Sequence, residues 1–468
     1  MNYISTRGRA QTLAFDDVLL TGLARDGGLY VPETWPQFST DEITSWKALS
    51  YSELAFQVIK PCIGGRIADA DLKRILDQAY AAFDTPEVAP LHPLSNAWGD
   101  DAWILELFHG PTLAFKDMAM QFLGRAFDHI LAQRDEQACI LGATSGDTGS
   151  AAIEACRDRA AIDVFILYPD GRVSDVQRRQ MTTVQSPNVH TLAVDGSFDD
   201  CQDLVKAAFN DIAFRDRTRL SAVNSINWAR IVAQIVYYFW AALKVGAPER
   251  PVAFTVPTGN FGNVFAGYAA LRMGLDIDQL IIGSNRNDIL TRFFETGTMQ
   301  ISQVYQTLSP SMDIQVSSNF ERLLFELLER DGEAVNEALT HFRESGRFEV
   351  SLAVLSNATT LFDAARFDDD ETRTAIAEAH REIGKLVDPH TAVALAAAKA
   401  RRRNPKVPMV VIATAHPSKF PDTVAAATGI TPTLPLHLAD LHERDERITK
   451  IANDLSAVEK FVEGNRQP

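Results

Sequence analysis

Two hydrophobic rhythms divide the chain. Up to about residue 98, apolar positions recur at helical spacing, as in 51–60 and 69–83, between loops punctuated by Pro32, Pro36, Pro61, Pro86, Pro90 and Pro93. From about residue 102, short apolar runs of strand length alternate with helical segments: 103–108, 139–142, 164–168, 190–194, 252–256, 280–283 and 409–413. Such alternation predicts βαβ units and largely parallel sheets covered on both faces. Stretches 320–346 and 369–402 read as helices, and the charged tail from 437 to 468 reads as a solvated terminal helix with a frayed end. The chain thus divides into a mainly helical region, 1–98, and an α/β body, 99–468.

In parallel α/β sheets, loops at the carboxyl ends of strands converge on a crevice where ligands bind. Four of the expected strands end in loops with unusual chemistry. The first turns through Gly110 and Pro111 and delivers Lys116 to the start of a long amphipathic segment. A lysine held there among apolar neighbours loses water, which lowers its pKa and favours the neutral amine that imine formation needs. A surface lysine near a helix start is the plain alternative. Positions 118, 122, 123, 126, 127 and 130 follow at helical spacing as a core-facing stripe.

The second loop, 142–152, is dense in Ser, Thr and Gly and contains Ser145, Asp147 and Thr148. At a helix start such residues present backbone N–H groups and hydroxyls that suit a carboxylate or phosphate, or they form an ordinary N-cap. In the third loop, 257–263, Gly259 and Gly262 stand three apart around Asn260 and Phe261, with Asn263 next. That spacing lets the amides curl inward as a phosphate cradle. The fourth loop begins at Thr414, whose hydroxyl can face a ring nitrogen or simply cap the strand.

Composition narrows the class of guest. With 468 residues and 46% hydrophobic content the chain can bury large cores in two to three domains. A net charge of -16 repels nucleic acid and anionic membrane, so a small molecule bound in a local basic pocket is expected. The amino terminus lacks the apolar core of a signal peptide, and the greasiest run, 231–245, is broken by Gln234 and Lys244. Cys62, Cys139, Cys156 and Cys201 have no metal-ligand spacing. A cytoplasmic protein without metal is expected.

Together the loops offer a lysine for an imine, a phosphate cup, an anion-binding turn and a neutral hydroxyl. Pyridoxal 5'-phosphate requires that inventory. Segments 4–8, 26–30, 106–117, 143–152, 223–230, 257–263, 309–314 and 414–420 carry a resemblance as well. Through them the chain resembles the threonine synthases, pyridoxal-phosphate enzymes of the tryptophan-synthase-β fold type. The resemblance implies two parallel-rich three-layer α/β domains, the smaller spanning about 130–215 as an insertion. It implies that Lys116 holds the cofactor as an imine and later moves protons. Gly259, Asn260, Phe261, Gly262 and Asn263 match the cofactor's phosphate loop, although many relatives carry an acid where this chain has Asn263.

By the same resemblance Asp147 faces the cofactor's 3-oxygen, an awkward place for a carboxylate unless a proton is shared. Thr414 meets the pyridine nitrogen, and Ser145 and Thr148 meet the substrate carboxylate. Asn224, Ser225 and Arg230 match a seat for a substrate phosphate, where the planar fork of an arginine suits the oxygens. The alternative for Arg230 is a surface ion pair. Arg172, Ser174, Gln177 and Arg178 form a polar stripe that can line the site but reads first as a solvated face, and His109 can position substrate or solvent but reads first as a hydrogen-bonded structural histidine. The implied reaction turns O-phospho-L-homoserine and water into L-threonine and phosphate. A serine or threonine dehydratase, a cysteine synthase, or a binding protein that keeps the fold without chemistry would share much of this pattern.

Overall fold

Runs of β-branched and aliphatic residues leave a strand no polar face, so both sides must be covered. In the computed structural model, which describes residues 1–95, 98–221 and 225–467, every residue of the strands Ile162–Pro169 and Val252–Pro257 is buried. Two sheets dominate. The larger has six strands in the order Phe362–Arg366, Ile277–Ser284, Val252–Pro257, Met409–Ala413, Ala102–Glu106 and Leu91–Pro93. Only the last pairing is antiparallel. The smaller sheet orders Thr449–Ile451, Val189–Val194, Ile162–Pro169, Ala138–Ala143 and Leu220–Ser221, all parallel.

The registers place the site. Thr255 lies opposite Val411, and Ala413 lies opposite Glu106, so three neighbouring strands finish at one edge of the large sheet. Each of the three runs into a loop singled out by its sequence. The greasy run at 231–245 is the body of the helix Trp228–Val245, packed among the helices Tyr51–Ile63, Lys116–Arg134 and Gly262–Arg272. No helix of the described residues is long and apolar enough to cross a membrane. The amino-terminal region adds a small antiparallel sheet of Leu13–Ala14, Asn2–Ser5 and Tyr30–Pro32 to its helices. It docks on the body through Asn227, whose amide donates to the Leu19 carbonyl at 2.9 Å, and Arg322, which donates to the Tyr30 carbonyl at 3.0 Å.

Four expectations need correction. The stretch 369–402 is two helices, Asp369–Ile383 and Pro389–Arg401, because Gly384 closes the first in a left-handed conformation and Asp388 with Pro389 starts the second. Likewise 320–346 breaks before Asp331, which caps Gly332–Ser345. The tail is not a solvated helix: Thr449–Ile451 joins the small sheet beside Val189–Val194, and Leu455–Gly464 buries Val458 and Val462 against it. The smaller unit is therefore not confined to 130–215, since it also takes strands at 220–221 and 449–451. Two valines four apart, flanked by partly buried Leu455 and Phe461, seat a helix within an otherwise charged tail, which is why composition concealed it.

Candidate active site

The lysine turn is drawn tight by its own acid. The Asp117 carboxylate accepts from the Thr112 backbone N–H and from the Thr112 hydroxyl, both at 2.7 Å. Ala114 bridges Ala415, and the Phe115 N–H donates to the Thr414 carbonyl at 2.8 Å. Lys116 follows as the first residue of the helix Lys116–Arg134, and it is buried. Its ammonium lies 3.0 Å from Asp147 Oδ2. Asp147 opens the helix Asp147–Cys156 on the small sheet, so this contact joins the two sheets. The turn before it needs Gly146, whose φ is 139° and whose missing Cβ would strike the Gln177 side chain at 2.5 Å.

The other oxygen of Asp147 is also occupied. Oδ1 accepts from Gln177 Nε2 at 2.8 Å and from the ammonium of Lys419 at 2.8 Å. Burial opposes charge on Asp147, yet the two lysines hold its carboxyl well below the usual carboxylate range. Lys116 is pushed the other way: burial lowers its proton affinity, Asp147 restores part of it, and Lys419 and Arg230 lower it again. Arg230 is 3% exposed in the first turn of Trp228–Val245, and burial brings its guanidinium down to about 10. Among the described residues its Nε and Nη1 atoms have no hydrogen-bond partner. Two buried lysines thus share one carboxylate, with a third buried cation, Arg230, close enough to bear on Lys116, in a protein of net charge -16. Such a cluster calls for a further anion.

The glycine loop lies beside it. Gly259 passes so close to Ser311 that a Cβ would sit 2.6 Å from the Ser311 carbonyl oxygen. Ser317 donates to the Gly259 carbonyl at 2.6 Å. The amide of Asn319 donates to the Asn260 carbonyl at 3.0 Å and to the Ser225 carbonyl at 3.1 Å, which ties the loop to the segment leading to Arg230. Phe261 has a φ of 64° and buries its ring 5.4 Å from that of Phe320. It can therefore offer a ligand only its backbone. It gives the helix Gly262–Arg272 no side-chain cap, which leaves the first N–H groups of that helix suited to an anion. Asn263 Oδ1 accepts from the Tyr237 hydroxyl at 2.7 Å, whereas its buried Nδ2 has no partner.

The structure gathers most of the sequence candidates. Lys116, Asp147 and Arg230 share one cluster, Thr414 is bonded to the lysine turn, and Ser225 and 259–263 meet through Asn319. Ser145 is exposed and Thr148 half-buried at the loop mouth. Asn224 lies outside the described residues. The polar stripe is corrected: Gln177 is buried on Asp147, and Arg178 forms a paired contact with Glu446 of the tail at 2.8 and 3.0 Å. Lys419 carries no expectation from sequence. Its trace is a lone lysine six residues past a buried strand, in a segment that otherwise reads as a turn.

Family comparison agrees with this geometry. Residues 2–80 match the threonine synthase amino-terminal family, 81–415 match the pyridoxal-phosphate dependent enzymes, and 391–462 match the threonine synthase carboxyl-terminal family. The threonine synthase of Pseudomonas aeruginosa is 57% identical over 100% of this chain and 99% of its own. The chain belongs to the threonine synthase family. The crystal structure of pyridoxal-phosphate-bound threonine synthase from Brucella melitensis superposes with a TM-score of 0.97 at 53% identity over 100% of both chains. The yeast threonine synthase structure gives 0.93 at 40% identity, covering 99% of this chain and 98% of that one. The two-sheet α/β architecture is that of these enzymes. The site here fits pyridoxal phosphate: a buried lysine of lowered proton affinity, an uncapped helix start beside a glycine turn, and, among the described residues, an unpartnered Asn263 nitrogen.

Proposed function

We propose that this enzyme converts O-phospho-L-homoserine and water to L-threonine and phosphate, with Lys116 as its covalent anchor and proton carrier. When bound, pyridoxal phosphate supplies an electron sink for bond breaking at the substrate's α-carbon. The backbone at Gly259, Asn260, Phe261 and Gly262 and the side chain of Asn263 seat the cofactor's phosphate. Thr414 offers the ring nitrogen a neutral hydroxyl, and Asp147 faces the 3-oxygen. Ser145 and Thr148 clamp the substrate carboxylate. Lys116, released when substrate takes its place, removes the proton at Cα and serves Cβ and Cγ in turn. A flexible stem with a neutral amine suits that shuttle, and burial keeps the amine available.

Arg230, with Ser225 and Asn224, receives the phosphate that departs from Cγ. The observation that carries the reading is the pair of unpartnered guanidinium nitrogens on a buried arginine whose charge bears on Lys116. A buried cation without a partner is costly, and a doubly charged phosphate removes that cost. Incubating the loaded enzyme with O-phospho-L-homoserine should release inorganic phosphate and threonine in equal amounts. Ammonia from serine or threonine, with no phosphate from phosphohomoserine, would instead make it a dehydratase.

A further inference from the structure

Lys419 is fully buried at 0% exposure, on the short turn Pro417–Lys419 that follows the strand Met409–Ala413. Its ammonium has three donors and three protein acceptors: Asp147 Oδ1 at 2.8 Å, the Thr112 carbonyl at 2.7 Å and Gln180 Oε1 at 3.1 Å. Those acceptors belong to the small-sheet loop, the lysine turn and the helix Asp175–Thr182. Lys116, in contrast, has Asp147 as its one hydrogen-bonded acceptor among the described contacts. One ammonium is locked by its surroundings, and the other is free to leave.

We propose that Lys419 is a positioning residue that grips the Asp147 carboxylate by Oδ1, leaving Oδ2 aimed at Lys116 and the cofactor joined to it. This rests on the reading of Lys116 as the cofactor's anchor. Once the Lys116 nitrogen is committed to the cofactor, Asp147 keeps a countercharge in Lys419, so a carboxylate can remain beside the cofactor's 3-oxygen. Without Lys419 it would turn or take up a proton. The charged groups around this point are Lys116, Asp147, Arg230 and Lys419, with Asp117 facing Lys419 from the lysine turn.

The test is the pH titration of the visible absorption band of the loaded holoenzyme, followed in wild type, Lys419→Met, Lys419→Arg, Asp147→Asn and the Asp147→Asn/Lys419→Met pair. Loss of the positive charge beside Asp147 should move the band's titration upward by about 1 pH unit or more. Lys419→Arg, which keeps the charge, should return it toward wild type. Because Lys419 acts through Asp147, turnover of the double variant should match Asp147→Asn alone within about twofold. An unmoved titration in Lys419→Met, a folded arginine variant that titrates like the methionine one, or losses that multiply in the double variant would each overturn the proposal. Should Lys419→Met alone fail to fold, the double variant buries no lone charge and carries the turnover comparison. A wild type with no visible band would overturn the cofactor reading, and this inference with it.

Discussion

Two groups of charges flank one short turn, and they are built on opposite rules. On the strand side, Glu106 meets His109 Nε2 at 2.9 Å and the Lys385 ammonium at 2.5 Å, while His109 Nδ1 meets Asp84 at 2.9 Å. Burial opposes charge on Glu106, but His109 and Lys385 bring its carboxyl down to about 2. Two acids, Glu106 and Asp84, face Lys385, His109 and His92, which lies 3.5 Å from Glu106. On the helix side, Lys116 and Lys419 share the single carboxylate of Asp147, while Arg230, whose charge bears on Lys116, has two nitrogens without a partner among the described residues. A balanced, partly exposed cluster holds the fold, whereas an unbalanced buried one is left open to a ligand.

The largest effect should come from crossing that line. Lys116→Ala removes anchor and proton carrier together, so kcat should fall by more than about a thousandfold and the visible band should vanish. Glu106→Gln, on the balanced side, should keep the band at its wild-type position. An absorbance spectrum and a phosphate-release assay on the two variants decide it, and a banded, active Lys116→Ala protein would break the distinction.

Arg230 should split activity from stability. A charge-assisted hydrogen bond contributes about 1.5–3 kcal/mol, so Arg230→Met should lower kcat/KM about 10- to 100-fold. Cofactor-free Arg230→Met should nonetheless melt at a higher temperature than wild type, because an unpartnered buried cation has been replaced by an apolar chain. A lower melting temperature would show that Arg230 belongs with the balanced cluster.

Sequence made one of these clusters far more visible than the other. Lys116, Asp147, Arg230 and the glycine loop stand at strand ends, where strand-then-loop patterning predicts ligand contacts, and the structure brings them to one edge. Lys419 is not distinguished, because it matters through the Asp147 oxygen it reaches from the other sheet, and Gln177 is named only within a stripe that reads first as solvated. No local period encodes a contact between residues 272 positions apart. The carboxyl-terminal strand was hidden for a related reason: a three-residue edge strand, Thr449–Ile451, has too little alternation to announce itself. His109 was readable as structural, since a histidine three residues from a strand-end glutamate has a partner at hand.

The balanced cluster predicts an acid limb. Glu106 has a folded pKa of about 2 against 4.5 unfolded, so its stabilisation is full above pH 4.5 and is lost as pH falls through about 2. That difference corresponds to roughly 3 kcal/mol. In urea titrations of cofactor-free protein, Glu106→Gln should be less stable than wild type at pH 7, and the gap should close toward pH 2. A gap that stays constant with pH would mean the glutamate serves by shape rather than by charge.

The smallest effects lie on the alkaline limb, where the two clusters should slope in opposite directions. Burial disfavours charge on His109, but Glu106 and Asp84 outweigh it and raise its pKa above 6.5. The folded state therefore holds an extra proton just above pH 6.5, and this stabilisation, full below 6.5, is lost as pH rises through the raised value. Lys116 has a folded pKa below 10.5, so between that lowered value and 10.5 the unfolded chain holds the extra proton and stability rises with pH. Cofactor-free His109→Gln should lose the falling component, and Lys116→Met the rising one. Urea midpoints collected from pH 6 to 10 on both variants would separate them, and slopes of the same sign would show that the charges on the two sides of the turn obey one rule after all.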